Sequence, residues 1–336
     1  MHESSSTIVN STKSFTFHGN GSEYFKLWIV NIMLTILTLG IYSAWAKVRN
    51  TQYFYGNLEL DGHRFQYLAN PIAILIGRVI AIALFIFWNV MLEYNIAIGL
   101  TLSIIVFFAT PWLIKRSFVF HHAMTAYRNI RFNFHASYAD SFMVFIVWPL
   151  LTLVSFGILA PKAIAAYYHY KVANSSYGAS RFEFSATYKN YIKLWVMMVL
   201  GFIAIVLFMF MVLKDFFPFM LGFFIACIAY LAIYAFYFVK TMNIFYNYTK
   251  IKDIHFNATI PFRQYTQLFL VNSLLIILTL GFYIPFAQVK FAQFFTNYIV
   301  LKAEQPLDQF IAAEQEQVTA FGQEFSEVIG VDVAPL

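Results

Sequence analysis

The sequence is short of charged residues and of cysteine. Only 11% of its 336 residues are charged and 60% are hydrophobic, whereas soluble domains carry about 25% charged residues. So few polar side chains cannot cover a soluble chain of this length, which excludes that class. The single Cys227 excludes an intramolecular disulfide. With 14 glycines and 9 prolines, collagen-like and low-complexity chains are excluded as well, and a polytopic membrane protein remains.

Sequence signatures of catalysis and of metal binding are also missing. The chain has no Gly-x-Ser-x-Gly, no phosphate-binding loop and no dinucleotide fingerprint. It has no cysteine pair, and the adjacent His121 and His122 must point in different directions on a helix or a strand. We therefore expect no enzyme, no metal and no cofactor. The net charge of +6 is interpreted as a topology signal, so no nucleic-acid partner is expected.

Seven apolar stretches are each long enough for a membrane helix, which needs roughly 20 apolar residues. They are Leu27–Ala46, Pro71–Leu92, Ile96–Ile114, Phe142–Ala160, Leu194–Leu213, Phe216–Val239 and Leu268–Ala287. The links at residues 93–95 and 214–215 are too short to recross a bilayer, so they are predicted to close two antiparallel helical hairpins. The predicted fold class is an all-α polytopic membrane protein.

The chain repeats itself. Phe15-Thr-Phe17 returns as Phe132-Asn-Phe134, an offset of 117 residues, and the stretch from Val30 to Phe54 matches the stretch from Val271 to Phe295 at about half of its positions. The predicted organisation is a polar tail without a signal peptide (residues 1–14), a first repeat (15–131), a second repeat (132–253), a partial third repeat (254–302) and an acidic amphipathic tail (303–336).

Short strands are predicted at the Phe-x-Phe stretches. Leu58–Leu60 and His63–Tyr67 alternate in polarity around Asp61-Gly62, a dipeptide suited to a type I′ hairpin turn. Ser180–Phe184 and Ile254–Phe256 follow the same pattern. We expect these strands to pair outside the bilayer, because open sheet edges are not stable within it. In the alternative interpretation, the phenylalanines plug one end of a helix bundle.

A long motif gives a family resemblance. The run Leu37-Thr-Leu-Gly-Ile-Tyr-Ser-Ala-Trp-Ala-Lys-Val-Arg49 is followed by Tyr53-Phe-Tyr-Gly-Asn57 and then by Leu60-Asp-Gly-His-Arg-Phe65. This succession resembles the YjgN family of bacterial inner-membrane proteins, and the resemblance covers nearly the whole chain. It implies a multi-pass protein of the bacterial inner membrane. The family has no established activity, so the resemblance supplies no catalytic residues.

The distribution of lysine and arginine bears on the topology. If all seven stretches cross, these residues divide almost equally between the two sides of the membrane. If the first, fourth and seventh turn back at Gly40, Gly157 and Gly281, nearly all of them fall on one side. The positive-inside rule favours this re-entrant arrangement, with termini and long loops in the cytoplasm. Seven true spans remain the alternative.

Two sets of residues are candidates for function. A candidate polar path is defined by three polar residues within apolar stretches: Asn31, Arg78 and Asn272. In the alternative interpretation, Arg78 reaches the membrane interface as an anchor and the two asparagines serve helix packing. Trp45, Lys47, Arg49 and Lys290 occur where helices leave the apolar zone, and they are candidate ligands for anionic lipid or simple interfacial anchors.

These observations leave two function classes. The first is a non-enzymatic membrane protein that acts in lipid interaction or in assembly, motivated by the basic aromatic helices. The alternative is a transporter or channel for a small solute, motivated by the internal repeats and by polar residues inside the membrane segments. A polar cavity that reaches Asn31, Arg78 and Asn272 would favour the second class.

Overall fold

A computed structural model describes residues 11–212 and 216–317, with the side chains of residues 216–218 left out. Its strands are β1 (Ser11–Phe17), β2 (Leu58–Leu60), β3 (His63–Tyr67), β4 (Thr125–Tyr127), β5 (Ile130–Phe134), β6 (Ser175–Tyr177), β7 (Ser180–Phe184), β8 (Thr249–Ile251), β9 (Ile254–Ala258) and β10 (Ile299–Ala303). Its helices are α1 (Gly21–Leu37), α2 (Ser43–Asn57), α3 (Pro71–Tyr94), α4 (Ile96–Ala123), α5 (Tyr138–Val154), α6 (Ala160–Ala173), α7 (Tyr188–Val212), α8 (Phe216–Asn247), α9 (Phe262–Leu278), α10 (Ile284–Tyr298) and α11 (307–317).

Helical hairpins and β-hairpins alternate along the chain. The even-numbered helices from α2 to α10 each run into a strand with at most one residue between, and three residues separate each odd-numbered strand from the helix that follows it. Two-residue turns join β2 to β3, β4 to β5, β6 to β7 and β8 to β9. In the first of these turns Asp61 and Gly62 both have positive φ, as a type I′ turn requires.

The ten described strands close into one antiparallel barrel. β1 pairs with β10 on one side, where Ser11 lies opposite Ala303, and with β2 on the other, where Phe17 lies opposite Leu58. The two ends of the described chain therefore meet and complete a fifth hairpin-like unit. Closure leaves no free sheet edge, which is the general solution to the edge problem of antiparallel sheets.

Alternation along the strands separates the inside of the barrel from its surface. In β3, β5 and β7 an exposed arginine, Arg64, Arg131 or Arg181, directly precedes the inward phenylalanine. The barrel thus has a basic outer surface and an apolar interior. The two phenylalanines of a Phe-x-Phe stretch are two positions apart and so lie on the same, inward face of the strand.

Four helices are long and apolar enough to cross a membrane: Pro71–Tyr94, Ile96–Ala123, Tyr188–Val212 and the part of α8 from Phe219 to Asn247. Asn70 caps α3 by accepting a hydrogen bond from the Ile72 N–H at 2.9 Å, and Pro71 occupies the first turn. Asn95 alone separates α3 from α4 and caps α4 through Ala97. Exposed apolar side chains cover these helices, as lipid contact requires.

The expected seven-segment all-α fold is wrong. The first, fourth and seventh apolar stretches each contain a turn, so only four spans are found in the described chain, and the strands form a closed barrel. Apolar side chains continue through the three turns, so a hydropathy window of roughly 20 residues does not register the break. A closed barrel also depends on pairing between residues that are far apart in sequence, which short alternating runs do not report.

The three turns share one geometry. After α1, the Leu39 N–H donates to the Ile36 carbonyl at 3.1 Å and the Gly40 N–H donates to the Thr35 carbonyl at 2.7 Å, which is a Schellman motif. Phe156-Gly157 and Leu280-Gly281 repeat this pattern. The predicted helix-break glycines Gly40, Gly157 and Gly281 therefore lie in turns, with φ of 93°, 86° and 93°.

Two predicted terminal segments are described only in part. Strand β1 begins at Ser11, inside the segment expected to be a polar tail, while residues 1–10 lie outside the described residues. In the acidic tail, residues 307–317 form α11 and residues 318–336 lie outside the described part, as does the 214–215 link.

Candidate functional site

A ring of five phenylalanines lines the barrel. The Phe ring consists of one residue from each odd-numbered strand: Phe15, Phe65, Phe132, Phe182 and Phe256. Neighbouring ring centroids are 6.4 Å apart for Phe15 and Phe65, and 6.3 Å apart for Phe182 and Phe256. These spacings are typical of aromatic contact. The ring is an apolar layer inside the barrel.

A second layer comes from the even-numbered strands and includes Leu60, Tyr127, Tyr177, Ile251 and Leu301. The Tyr127 hydroxyl donates to the Leu60 carbonyl at 2.7 Å, and the Tyr177 hydroxyl donates to the Tyr127 carbonyl at 3.0 Å. Burial raises the pKa of Tyr127 to about 12, so this hydroxyl stays neutral at physiological pH. Both tyrosines spend their donors on backbone carbonyls.

The inside of the barrel is a cavity of about 280 Å³ bounded by the Phe ring, Leu58, Leu307 and other apolar side chains. It shares Phe15 and Leu58 with a second cavity of about 260 Å³, which extends to Phe54, Tyr246 and Phe295 near the ends of α2, α8 and α10. Together these cavities form what we call the lumen. The lumen therefore extends from the inside of the barrel to the ends of α2, α8 and α10.

Helix α11 closes the far mouth of the barrel. Its Leu307, Phe310 and Ile311 pack into the barrel core, and the Phe310 ring stacks on Tyr177 with centroids 6.1 Å apart. At the helix surface, Arg128 Nη1 donates to Asp308 Oδ1 at 2.5 Å. The lumen is therefore covered on the side opposite the membrane helices.

Glu314 fastens this helix. The side chain is fully buried, and Oε2 accepts hydrogen bonds from the Ala179 N–H at 2.9 Å and the Ser180 N–H at 3.1 Å. Oε1 accepts from Lys252 Nζ at 2.7 Å and from the Ser180 hydroxyl. Burial raises the pKa of this carboxyl, but the hydrogen bonds outweigh it and hold the pKa below its usual range.

A third cavity, of about 210 Å³, shares Phe132, Phe182 and Phe256 with the barrel cavity. Its wall also contains polar groups: His122 near the end of α4, Lys171 near the end of α6, and Ser175 on β6. We call it the basic vestibule. Lys171 gives this cavity, which adjoins the lumen, a cationic side chain in its wall.

The predicted polar path is not assembled as one site. Asn31 is buried and its Nδ2 donates to Asn50 Oδ1 at 2.8 Å, whereas Asn272 is buried with neither side-chain atom partnered within the described chain. Phe291 lies 19 residues after Asn272, as Asn50 lies 19 residues after Asn31, so an equivalent amide partner is missing there. None of these residues lines the lumen or the vestibule.

Arg78 contacts a short hairpin. Its Nη1 donates to the Ser43 hydroxyl at the start of α2, four residues after the left-handed Leu39. Arg78 lies seven residues, about 10 Å, from the start of α3. The tip of the α1–α2 hairpin therefore lies beside the first third of α3.

The predicted interfacial residues lie on the first and last hairpins. Arg49 Nη1 donates to the Tyr42 hydroxyl at 2.8 Å, and Lys290 Nζ donates to the Tyr283 hydroxyl at 2.6 Å, so these two hairpins share one arrangement. Trp45 stacks on Tyr42 and Lys47 is exposed. These contacts are outside the lumen.

Sequence reasoning missed Lys171 and Glu314. Lys171 looked like one more basic residue in a tyrosine-rich helix, and Glu314 like one of several acids in the tail. The available signal was burial: Glu314 falls on the same face of α11 as Leu307 and Ile311, at helical spacing. An acid in an apolar stripe indicates a partner elsewhere.

The fold defines a class of protein, a membrane protein whose helical hairpins carry a closed ten-stranded barrel with an apolar lumen. By sequence, the chain belongs to the family described as "Bacterial protein of unknown function (DUF898)", which matches residues 12–328. The expected family relationship is thereby confirmed.

Curated relatives are similar over part of their length. The inner membrane protein YjgN of Escherichia coli strain K12 is 31% identical over 150 residues, which cover 43% of this chain and 36% of that protein. YjgN of Salmonella typhimurium is 28% identical over 160 residues, which cover 47% of this chain and 40% of that protein. The match thus spans well under half of each relative. No solved structure matches the chain. The relatives and the four candidate spans support an inner-membrane location.

Proposed function

We propose that this protein is a non-enzymatic lipid-interacting protein of the inner membrane, and that its barrel takes up the acyl chain of a membrane lipid. The observation that carries the proposal is the lumen, which is apolar throughout the barrel and continues toward the ends of the helices that enter from the membrane side. A dry apolar cavity of about 150 Å³ already binds benzene. The barrel cavity alone is larger.

The lining disfavours the transport of a small polar solute. Within the barrel cavity the polar side-chain atoms are the hydroxyls of Tyr127 and Tyr177, and both donate to backbone carbonyls. A hydrated solute would find no replacement for its water in the Phe ring. An acyl chain gains from the same walls by about 0.8 kcal/mol per buried CH₂.

We further propose that the three short hairpins insert into one leaflet and do not cross. Leu39, Phe156 and Leu280, at their tips, are 94%, 96% and 90% exposed and have a left-handed φ near 50°. A left-handed conformation costs roughly 1–2 kcal/mol for such residues. Burial of the tips in lipid would offset this cost for a bulky apolar side chain. The Arg78 contact supports a shallow depth.

On this proposal the barrel and the described termini lie on the cytoplasmic side. The barrel surface carries Arg64, Arg131 and Arg181, and cytoplasmic segments are enriched in lysine and arginine. Lipid would enter the lumen sideways, from the inner leaflet, between the helices that run into the barrel.

Photocrosslinking tests the lumen. The full protein is placed in vesicles that contain a phosphatidylcholine with a diazirine at the end of one acyl chain, and the labelled residues are identified by mass spectrometry. We expect labelling of Phe-ring residues, and its loss in Phe182→Trp, which fills the lumen. A matched change on the lipid face, Leu84→Trp, should leave lumen labelling intact. Labels confined to the outer faces of α3, α4, α7 and α8 would refute uptake.

A further inference from the structure

Lys171 is a cation without an anionic partner inside the basic vestibule. It lies in the last turn of α6, is only partly exposed, and takes part in no ion pair within the described residues. Its Nζ lies 5.5 Å from the centroid of the Phe245 ring. A cation–π contact compensates an ammonium group only partly for lost water.

Burial lowers the pKa of Lys171. The charged form is therefore costly in the protein as it stands. An anion within about 4 Å would reverse this cost, because the attraction between two charges is strong where water is excluded. An anionic ligand would therefore stabilise the charged form of Lys171.

The polar groups beside Lys171 already have partners: the Ser175 hydroxyl donates to the Lys171 carbonyl at 2.7 Å, which leaves the Lys171 ammonium group as the donor for an anionic ligand. His122 Nδ1 faces the Phe118 carbonyl at 2.8 Å, and its Nε2 faces the Ser175 hydroxyl at 2.9 Å. Within the described chain, no carboxylate lines this vestibule.

The vestibule adjoins the lumen. Phe132, Phe182 and Phe256 form walls of both. A ligand with its head group at Lys171 would therefore direct an attached chain into the Phe ring. The combination of one cationic end and a long apolar end matches a single-chain amphiphile.

We propose that the Lys171 ammonium group, in the wall of the basic vestibule, binds the anionic head group of the lipid whose chain occupies the lumen. This inference rests on the proposed function and adds the class of ligand: an acyl chain that ends in a carboxylate or a phosphate. A carboxylate would come from a free fatty acid and a phosphate from a lysophospholipid. Both offer acceptor oxygens to the ammonium group.

The test uses three diazirine probes of equal chain length: a fatty acid, a lysophosphatidic acid and an uncharged monoacylglycerol. Wild-type protein in neutral phosphatidylcholine vesicles should label in the lumen with an apparent affinity about tenfold higher for the anionic probes than for the uncharged one. The relative labelling by fatty acid and by lysophosphatidic acid then identifies the head group. Lys171→Met should abolish the preference while the uncharged probe still labels the lumen.

The matched control is Lys162→Met, an exposed lysine on the same helix, which should keep the preference. Lys171→Arg should retain it as well, since the charge remains. Equal lumen labelling of wild type by charged and uncharged probes would overturn the head-group site and leave the lumen intact. Lumen labelling by no probe would overturn the proposed function itself. The wild-type comparison decides even if a variant fails to fold.

Discussion

The Glu314 carboxylate accepts a hydrogen bond from Lys252 Nζ at 2.7 Å, and this contact joins α11 to the turn between β8 and β9. The same carboxylate holds two N–H groups of the turn between β6 and β7. One side chain thereby ties the helix to two adjacent hairpins. Gly178 makes this approach possible, because a Cβ there would lie 2.7 Å from Oε2.

The first prediction is that Glu314→Gln loosens α11. The amide keeps one acceptor oxygen but loses the charge, so a buried group and its partners are left imperfectly paired, at a cost of about 1–3 kcal/mol. We expect faster hydrogen exchange and proteolysis within residues 307–317, with the barrel strands unaffected. Glu304→Gln, an exposed change nearby, is the control. Equal protection in Glu314→Gln and wild type would contradict the prediction.

The pKa of Glu314 gives the same contact a pH dependence. Because the folded-state pKa lies below the unfolded value of about 4.3, the carboxylate stabilises docking above that value and loses its effect as the pH falls through the folded pKa. Protection of the α11 amides, corrected for the intrinsic pH dependence of exchange, should therefore fall in wild type as the pH drops below about 4 and change less in Glu314→Gln.

The local sequence pattern predicts the strands but not their closure into a barrel. Alternation around Asp61-Gly62 predicts a hairpin because period and turn chemistry are local. The pairing of Ser11 with Ala303 depends on where the rest of the chain brings these residues, and no window contains both. The partner of Glu314 is hidden for the same reason, since Lys252 lies 62 residues away.

The sequence predicts the position of the turn at each hairpin tip to within one residue. Glycine suggested the site of a left-handed backbone, and each of the three glycines has positive φ, but the Schellman geometry also places Leu39, Phe156 and Leu280 in the left-handed region. Sequence propensity disfavours bulky residues there. Their presence reflects the surroundings of the tip, which propensity does not include.

The second prediction concerns these tips. Phe156→Gly and Phe156→Ala both lose the apolar ring, but only glycine adopts the left-handed backbone freely, so changing alanine to glycine at this position should raise the free energy of unfolding in detergent by about 1 kcal/mol. Gly157→Ala should lower it by a similar amount or more, because Gly157 has a φ of 86° and the new Cβ strains the backbone. Thermal unfolding of the three variants and of wild type measures these differences. If both changes shift the midpoint in the same direction, the strain argument is wrong.

The third prediction separates the two equivalent asparagines. Asn31→Leu leaves the Asn50 side-chain oxygen without its donor and should destabilise the protein by about 1–3 kcal/mol. Asn272→Leu removes two buried polar atoms that have no partner in the described chain, and should be neutral or stabilising. Thermal unfolding in one detergent compares the pair. A large loss of stability in Asn272→Leu would instead indicate a polar role for that residue.

The last prediction fixes the sidedness. Single cysteines are introduced into a Cys227→Ser background at Arg64 on the barrel, at Tyr94, the last residue of α3, and at the tip residue Leu39. A single crossing, α3, separates Arg64 from Tyr94, so Arg64→Cys and Tyr94→Cys should react with a membrane-impermeant maleimide from opposite sides, the first only from the cytoplasm. Leu39→Cys should resist the reagent from both sides and be reached by a lipid-soluble maleimide, because a half-inserted tip lies among acyl chains. Denatured samples, in which all three cysteines react, control for labelling efficiency. Reaction of Leu39→Cys from the same side as Tyr94→Cys would mean that the first hairpin crosses the membrane, and reaction of Arg64→Cys from the periplasm would invert the proposed orientation.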